Sequence, residues 1–290
     1  MKTEYVNSIR KAYPELNIFS AELNHQGQNS DVLIVNGEWV FRFPKYDHVL
    51  EIFRTEAVIL SAIQGYLPLS IPSPSLLQLD GLPLGQAFMG YRLIPGEPLW
   101  RDTFNGIADR IVRDRFAEQL SVFLRVLHSF PARERIPTPI PCYDTRAEWL
   151  DIYERIQQKL FEYMRPEARV SVKNHFESYL DNLANFDYQP VLKHSDFGTS
   201  NILFDPNKSR ITGIIDFSNA GMGDPAYDFA GLLSSYGEPF IERCAGYYPG
   251  LVSILPRVHF YRGTFALYEA LFGIENGDSD ALQAGLSTYI

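Results

Sequence analysis

The chain has 290 residues, of which 46% are hydrophobic and 14% aromatic, so it is a globular protein with a substantial core and not a disordered or fibrous one. Its formal net charge of −9 disfavours nucleic acid or an anionic membrane surface as the main partner. The two cysteines are too few for a disulfide framework or a zinc site, and there is no apolar run of signal-peptide or membrane-spanning length. We therefore expect a cytoplasmic protein.

The N-terminal third is expected to combine a short helix with an antiparallel sheet. Residues 3–13 have the spacing of an amphipathic helix, and strand-like runs follow at 18–24, 31–35 and 39–43. The pair Asn36-Gly37 between the last two runs is typical of a two-residue hairpin turn. A further apolar run at 87–94 is expected to be the last strand of this part.

A long helix is predicted at residues 47–64, because its apolar residues recur along one helical face. Glu56 falls inside that apolar stripe. A carboxylate on a packed face is unfavourable unless a cation meets it, so we expect Glu56 to pair with Arg42 on the preceding strand.

The chain after residue 98 is expected to be mostly helical, with candidate helices at 110–128, 145–164 and 167–185. Two short runs, 202–204 and 211–215, are expected to form a hairpin. The fold class is therefore α+β. We expect a sheet-containing N-terminal lobe of residues 1–93 and a larger, mostly helical C-terminal lobe of residues 94–290.

The residues that suggest a chemistry lie between 194 and 217. Asp196 and Asn201 share one polar loop, and Asp216 ends the strand of the hairpin that follows. Phosphoryl transfer needs a carboxylate that orients and deprotonates the attacking hydroxyl, together with oxygen ligands for Mg²⁺. Asp196 suits the first role, and Asn201 and Asp216 suit the second because Mg²⁺ prefers carboxylate and carbonyl oxygens.

The stretch 194–201, with residues 214–217 and 223–228, resembles the aminoglycoside phosphotransferase family, and the likeness continues through residues 39–44. In protein kinases an arginine usually stands where this chain has Ser195, a departure that points away from protein substrates. The resemblance implies a bilobal, protein-kinase-like fold that binds ATP or GTP with Mg²⁺ between its lobes. It also implies structural roles for His194 and for Asp228. Asp228 would hold in place the loop of residues 194–201, which we name the catalytic loop.

The resemblance places the nucleotide contacts in the N-terminal part. Arg42 stands where the family most often has the lysine that pairs with the phosphates, and Lys45 is an alternative for this contact. The polar loop 27–31 would lie over the phosphates with Ser30 as the contact, although an ordinary turn has a similar composition. The other predicted nucleotide-binding residues are Glu56, Tyr91, whose bulk would favour guanine, and the backbone of Arg92, Leu93 and Ile94 at the purine edge. An aromatic residue at position 91 would equally suit the core beneath its strand.

The acceptor would bind near the C-terminus. Residues 217–290 contain eight acids and three arginines, a surface that would attract a cationic small molecule or would simply be solvated. Aromatic residues at helical spacing also suit a core helix. By resemblance, the predicted acceptor-binding residues are Tyr236, Glu238, Phe265, Tyr268 and Glu269.

These observations predict a small-molecule O-kinase that transfers the γ-phosphate of ATP or GTP to a hydroxyl of an aminoglycoside antibiotic, at the 2″ position, and so confers resistance. One alternative is an enzyme of the same fold that acts on a macrolide, choline or homoserine. Two others are a regulatory nucleotide-binding module, which the retained Asp196, Asn201 and Asp216 disfavour, and a metal-dependent hydrolase.

Overall fold

A five-stranded antiparallel sheet forms the N-terminal part of the computed structural model, which describes residues 1–25, 27 and 29–290. Its strands are β1 (Ala21–Asn24), β2 (Ser30–Val35), β3 (Trp39–Pro44), β4 (Leu76–Gln78) and β5 (Phe88–Arg92). They lie in the spatial order β1-β2-β3-β5-β4. Gln28, which belongs to the predicted phosphate loop, lies outside the described residues.

The hairpin between β2 and β3 has the predicted turn. Asn36 and Gly37 adopt φ angles of 57° and 66°, the left-handed conformation that a type I′ turn requires. This turn sets a register from Ser30 opposite Pro44 to Val35 opposite Trp39. Helix α1 (Lys2–Ala12) covers one face of the sheet, on a cluster of buried side chains: Tyr5, Ile9, Leu33, Val35, Phe41, Phe43 and Phe88.

Helix α2 (Asp47–Ile63) joins this sheet to the rest of the molecule. Val49 and Phe53 pack with Met89 and Tyr91 of β5 in a second small cluster. The later residues of its apolar stripe, Ile59, Leu60 and Ile63, belong instead to the main core of the C-terminal part. Because α2 contributes to both cores, packing does not separate the two parts of the chain at this helix. The predicted lobe boundary between residues 93 and 94 stays a prediction.

The C-terminal part is mostly helical. Its helices are α3 (Arg101–Gly106), α4 (Arg110–His128), α5 (Ala132–Arg135), α6 (Arg146–Lys159), α7 (Pro166–Leu180), α8 (Ala226–Tyr236), α9 (Glu238–Cys244), α10 (Leu251–Asn276) and α11 (Ser279–Leu286). The helices predicted at 110–128, 145–164 and 167–185 are confirmed as α4, α6 and α7, the last two followed by 3-10 turns at Phe161–Tyr163 and Leu183–Phe186. None of the helices in the described ranges is long and apolar enough to cross a bilayer.

Two small sheets support the loops that follow them. Their strands are β6 (Glu97–Pro98), β7 (Val191–Lys193), β8 (Ile202–Asp205), β9 (Arg210–Ile214) and β10 (Gly221–Gly223). The predicted hairpin is the pair β8-β9, which β6 extends, while β7 pairs with β10. The fold is thus the predicted α+β, kinase-like arrangement.

Both cysteines are free thiols. Cys142 is exposed and forms a backbone bridge with Met222 of β10. Cys244, at the end of α9, is fully buried, and burial raises the pKa of its thiol to about 12.

Gly90 of β5 allows the close approach of the Phe41 ring from β3. A Cβ atom at position 90 would lie 2.7 Å from one carbon of that ring. We predict that Gly90→Ala lowers the free energy of unfolding by about 1–3 kcal/mol, because the overpacked ring must move. Urea denaturation measures this, and Gly106→Ala, where a Cβ meets nothing within 4 Å, is the control. Equal midpoints for the two variants would contradict this packing.

Candidate active site

His194 connects the loop after β7 to the end of β9. Its ring is fully buried, with Nε2 3.0 Å from the carbonyl oxygen of Ile215 and Nδ1 3.2 Å from the backbone nitrogen of Asp196. The carbonyl must accept and the backbone N–H must donate, so a neutral ring protonated at Nε2 satisfies both contacts. The ring therefore fixes the backbone of Asp196 relative to the residue that precedes Asp216.

Asp228, in the first turn of α8, also binds the loop after β7. Its buried carboxylate accepts hydrogen bonds from the backbone N–H groups of His194 and Ser195, at 2.9 and 2.8 Å. His128 Nε2 is a third partner at 3.1 Å, and Tyr248 bonds the other ring nitrogen. Burial alone would raise the pKa of Asp228, but these partners, His128 first, hold it below its usual range.

Asp196, Asn201 and Asp216 come together at one place. The side-chain amide nitrogen of Asn201 donates to Oδ2 and to the backbone oxygen of Asp196, both at 2.9 Å. The N–H of Ile215 donates to the backbone oxygen of Asn201 at 2.9 Å, which brings the start of β8 beside Asp216. The surrounding protein desolvates the Asp196 carboxylate and raises its pKa, and the negative charge of Asp216 adds to this effect.

Arg42 and Glu56 form the predicted buried ion pair. One guanidinium nitrogen of Arg42 lies 2.7 and 2.9 Å from the two oxygens of Glu56, and the other terminal nitrogen lies 3.1 Å from Oδ1 of Asp216. Burial favours the neutral form of Asp216, but the charge of Arg42 lowers its pKa overall. Lys45 bonds the backbone oxygens of His25 and Gly27, so Arg42 is the cation beside Asp216.

The residues of this site suit Mg²⁺ held partly by a nucleotide. The described residues contain no group of three or more His, Cys, Asp or Glu side chains that could hold a metal. Asn201 donates to Asp196 through its amide nitrogen. Its amide oxygen and the carboxylate of Asp216 are both hard oxygen ligands. Two such ligands completed by phosphate oxygens and water are the usual arrangement for Mg²⁺.

The other predicted nucleotide contacts occupy the sheet and the segment after it. Ser30 begins β2 and is buried, and Tyr91 of β5 is buried beside Arg42. The side chain of Arg92 is exposed and pairs with Glu38. The N–H of Leu93 donates to the backbone oxygen of Glu38 at 2.8 Å, so this group of the predicted purine edge is already engaged.

A cavity of about 560 Å³ opens beside Asp196. Three of the predicted acceptor residues, Phe265, Tyr268 and Glu269 of α10, line it. Asn29, in the polar loop before β2, lines it as well and was missed, although the polarity of that loop was its signal. We name this space the acceptor cavity.

Tyr236 and Glu238 correct the prediction, since neither is among the described residues that line the acceptor cavity. Tyr236 is buried, and its hydroxyl donates to the backbone oxygen of Leu99 at 2.9 Å. The exposed Glu238 begins α9 and lies 3.5 Å from Nδ1 of His259. Both residues lie where α8 gives way to α9.

Half of the eight C-terminal acids are engaged elsewhere, which weakens the prediction of an acidic acceptor surface. Glu269 is the acid that α10 contributes to the acceptor cavity, whose wall is otherwise rich in aromatic rings: Phe197, Tyr227, Phe265, Tyr268 and Phe272. Four other acids of residues 217–290 bond arginine, lysine or backbone N–H groups: Asp224, Asp228, Glu275 and Asp278.

Comparison with known proteins agrees with this geometry. The model of the phosphotransferase enzyme family matches residues 21–257. The chain belongs to this family. Viomycin phosphotransferase of Streptomyces vinaceus is 27% identical over 272 residues, which are 91% of each chain. The family places the protein among the kinase-type transferases.

Solved structures resemble the whole chain. The GDP and kanamycin complex of APH(2″)-IIIa superimposes with a TM-score of 0.91 at 28% identity, and the match covers 99% of this chain and 97% of that one. Macrolide 2′-phosphotransferase MphH from Brachybacterium faecium has a TM-score of 0.76 at 19% identity, with 99% and 97% coverage. At that identity the second likeness shows only the fold.

We predict that Asp228→Asn lowers the free energy of unfolding at neutral pH by about 2 kcal/mol, because an amide NH₂ then faces backbone N–H groups. The folded-state pKa of Asp228 is depressed, so its stabilisation is present above the pKa of an unfolded aspartate, about 3.9, and disappears as the pH falls through the lower folded value. Denaturant unfolding of both proteins along a pH series measures this difference.

The exposed Asp181→Asn is the control and should match the wild type throughout. A difference between Asp228→Asn and wild type that grows toward acid pH would contradict the role of the Asp228 carboxylate.

Proposed function

We propose that the protein transfers the γ-phosphoryl group of ATP or GTP to a hydroxyl of an aminoglycoside antibiotic, at the 2″ position, and so confers resistance. The observation that carries the proposal is the meeting of Asp196, Asn201 and Asp216 at the edge of the acceptor cavity. A carboxylate next to a candidate Mg²⁺ site and open to a cavity suits the attack of a substrate hydroxyl on a phosphoryl group.

In this mechanism the carboxylate of Asp196 accepts the proton of the acceptor hydroxyl. Its raised pKa makes it a stronger base than an ordinary aspartate, and Asn201 keeps its Oδ2 in one orientation. Bound Mg²⁺, held by Asn201 and Asp216, would neutralise charge on the nucleotide phosphates. Arg42, kept in place by Glu56, would steady the same phosphates together with Ser30.

Two features support a cationic acceptor. Glu269 provides a negative charge in the acceptor cavity, and its aromatic walls can bind cations through their ring faces. The relatives agree, since one is a viomycin phosphotransferase and a structure at 28% identity is a kanamycin complex. The GDP complexes of structures at 28% identity, together with the bulk of Tyr91, favour GTP as the donor.

A macrolide is the second candidate acceptor. Five aromatic rings line the acceptor cavity beside seven Ser, Thr and Asn side chains, and these rings could pack against a substrate with a broad apolar body. A macrolide meets that description and a polyamine sugar does not.

A panel of acceptors with Mg-GTP and Mg-ATP tests the proposal. We predict release of nucleoside diphosphate with kanamycin or gentamicin, faster with GTP, and NMR of the product should show phosphate on the 2″ oxygen. Saturable turnover of a macrolide with no response to either aminoglycoside would select the second candidate. Nucleotide hydrolysis that no acceptor stimulates would contradict both.

We predict that Asp196→Asn lowers kcat by about 10²- to 10⁴-fold, the range for loss of a general base, and leaves the Kd for the nucleotide nearly unchanged. Steady-state kinetics and nucleotide titration measure the two effects. Asp187→Asn, at an exposed position, is the matched control. Wild-type turnover in Asp196→Asn would refute the assignment of the base.

A further inference from the structure

A buried carboxylate connects the N-terminal helix to the polar loop before β2. Asp31 of β2 is only 2% exposed, and its partner across the hairpin is Phe43 of β3. Its Oδ2 accepts the hydroxyl of Tyr5 from α1 at 2.7 Å, and its Oδ1 lies 2.9 Å from Nδ1 of His25. The ring of Tyr5 stacks on Phe43 with the ring centroids 4.0 Å apart. One acid therefore links α1, the end of β1 and the start of β2.

The partners of Asp31 keep its carboxylate ionised. Burial alone would raise the pKa of Asp31, but the hydrogen bonds from His25 and Tyr5 and the charge of Lys45 lower it overall. An ionised carboxylate only accepts hydrogen bonds, so Nδ1 of His25 carries a proton and donates it. Lys45 Nζ lies 3.4 Å from Oδ1 and supplies the cation that a buried carboxylate needs.

Lys45 also binds the loop at three places. Its Nζ donates to the backbone oxygens of His25, at 2.9 Å, and of Gly27, and its backbone N–H donates to the oxygen of Asn29 at 2.9 Å. An ammonium group has three N–H donors, and these two oxygens with Asp31 use all three. Lys45 is thus committed to the loop backbone, although the sequence offered it as a phosphate ligand. We name four residues the loop anchor: Tyr5, His25, Asp31 and Lys45.

The loop that the anchor holds reaches the acceptor cavity. Asn29 lines this cavity together with Asp196, and the other described residues that line it all lie between positions 195 and 272. Ser30, the predicted phosphate contact, is the next residue after Asn29. A Cβ atom at Gly27 would overlap the backbone oxygen of Ser30, so the two backbones lie against each other. A displacement of Gly27 therefore moves Ser30 as well.

We propose that the loop anchor positions Asn29 and Ser30 for phosphoryl transfer, with Asn29 beside the acceptor and Ser30 beside the nucleotide phosphates. This inference rests on the proposed function and gives positioning roles to residues that line neither the acceptor cavity nor the candidate Mg²⁺ site. A misplacement of about 1 Å can lower a rate about 100-fold, so a loop that loses one fixed point slows the transfer. Helix α1 then contributes to the rate through Tyr5.

Tyr5→Phe is the first test, because it keeps the ring on Phe43 and removes only the hydroxyl that Asp31 accepts. We expect kcat with kanamycin to fall about fivefold and the Kd for Mg-GTP to rise about threefold, since the loop is less firmly positioned. Tyr13→Phe is the matched control, which removes a hydroxyl that bonds the backbone oxygen of Leu77 on β4. The same kcat and Kd in both variants would overturn the proposal.

Lys45→Met separates an anchor from a phosphate ligand. We expect kcat to fall about tenfold, and the double variant with Tyr5→Phe to lie within about twofold of Lys45→Met, because both changes act through the carboxylate of Asp31. Lys208→Met, which removes an exposed pair with Asp205, is the control for the lost charge. Weaker nucleotide binding in Lys45→Met beside wild-type behaviour in Tyr5→Phe would make Lys45 a phosphate ligand and overturn the proposal.

The proposed function fails separately, when the wild type phosphorylates no aminoglycoside. Calorimetric titration of Tyr5→Phe and Tyr13→Phe with Mg-GTP uses no acceptor, so it decides the loop anchor in that case too. A threefold weaker Kd in Tyr5→Phe than in Tyr13→Phe supports the proposal, and equal Kd values overturn it.

Discussion

The buried carboxylate of Glu56 is the constraint on which the geometry of the site depends. It accepts two hydrogen bonds from Arg42 in the sheet and a third, at 3.0 Å, from the backbone N–H of Phe217. One side chain of α2 therefore ties β3 to the loop that carries Asp216. Burial raises the pKa of Glu56, and the charge of Arg42 opposes this. A buried pair that loses one partner is strongly destabilised, by about 3–5 kcal/mol, so both groups must be present.

The sequence predicted the features that depend on local patterns. An acid within an apolar helical stripe needs a nearby cation, which led directly to the pair Glu56 and Arg42. The turn residues Asn36 and Gly37 specified a hairpin because few residues adopt left-handed angles. The approach of Asn201 to Asp216 followed from the hairpin that joins them.

Features that depend on helix packing could not be read from the sequence in the same way. Tyr236 is near Asp228 along the chain, yet it is buried and its hydroxyl donates to the backbone oxygen of Leu99. The number of acids can also be read from the sequence, but their ion-pair and hydrogen-bond partners cannot. Asp224 is fully buried and bonds Arg257 and Tyr261, so its charge stabilises the fold and does not reach the acceptor cavity.

The contrast between the two thiols has a practical consequence. Thiolates, not thiols, react with maleimides, and the buried Cys244, with a pKa near 12, has almost no thiolate at neutral pH. Cys142 is exposed and forms a backbone bridge with Met222 of β10. A fluorescent dye would thus attach to the native chain at a single position, beside the small sheet of β7 and β10.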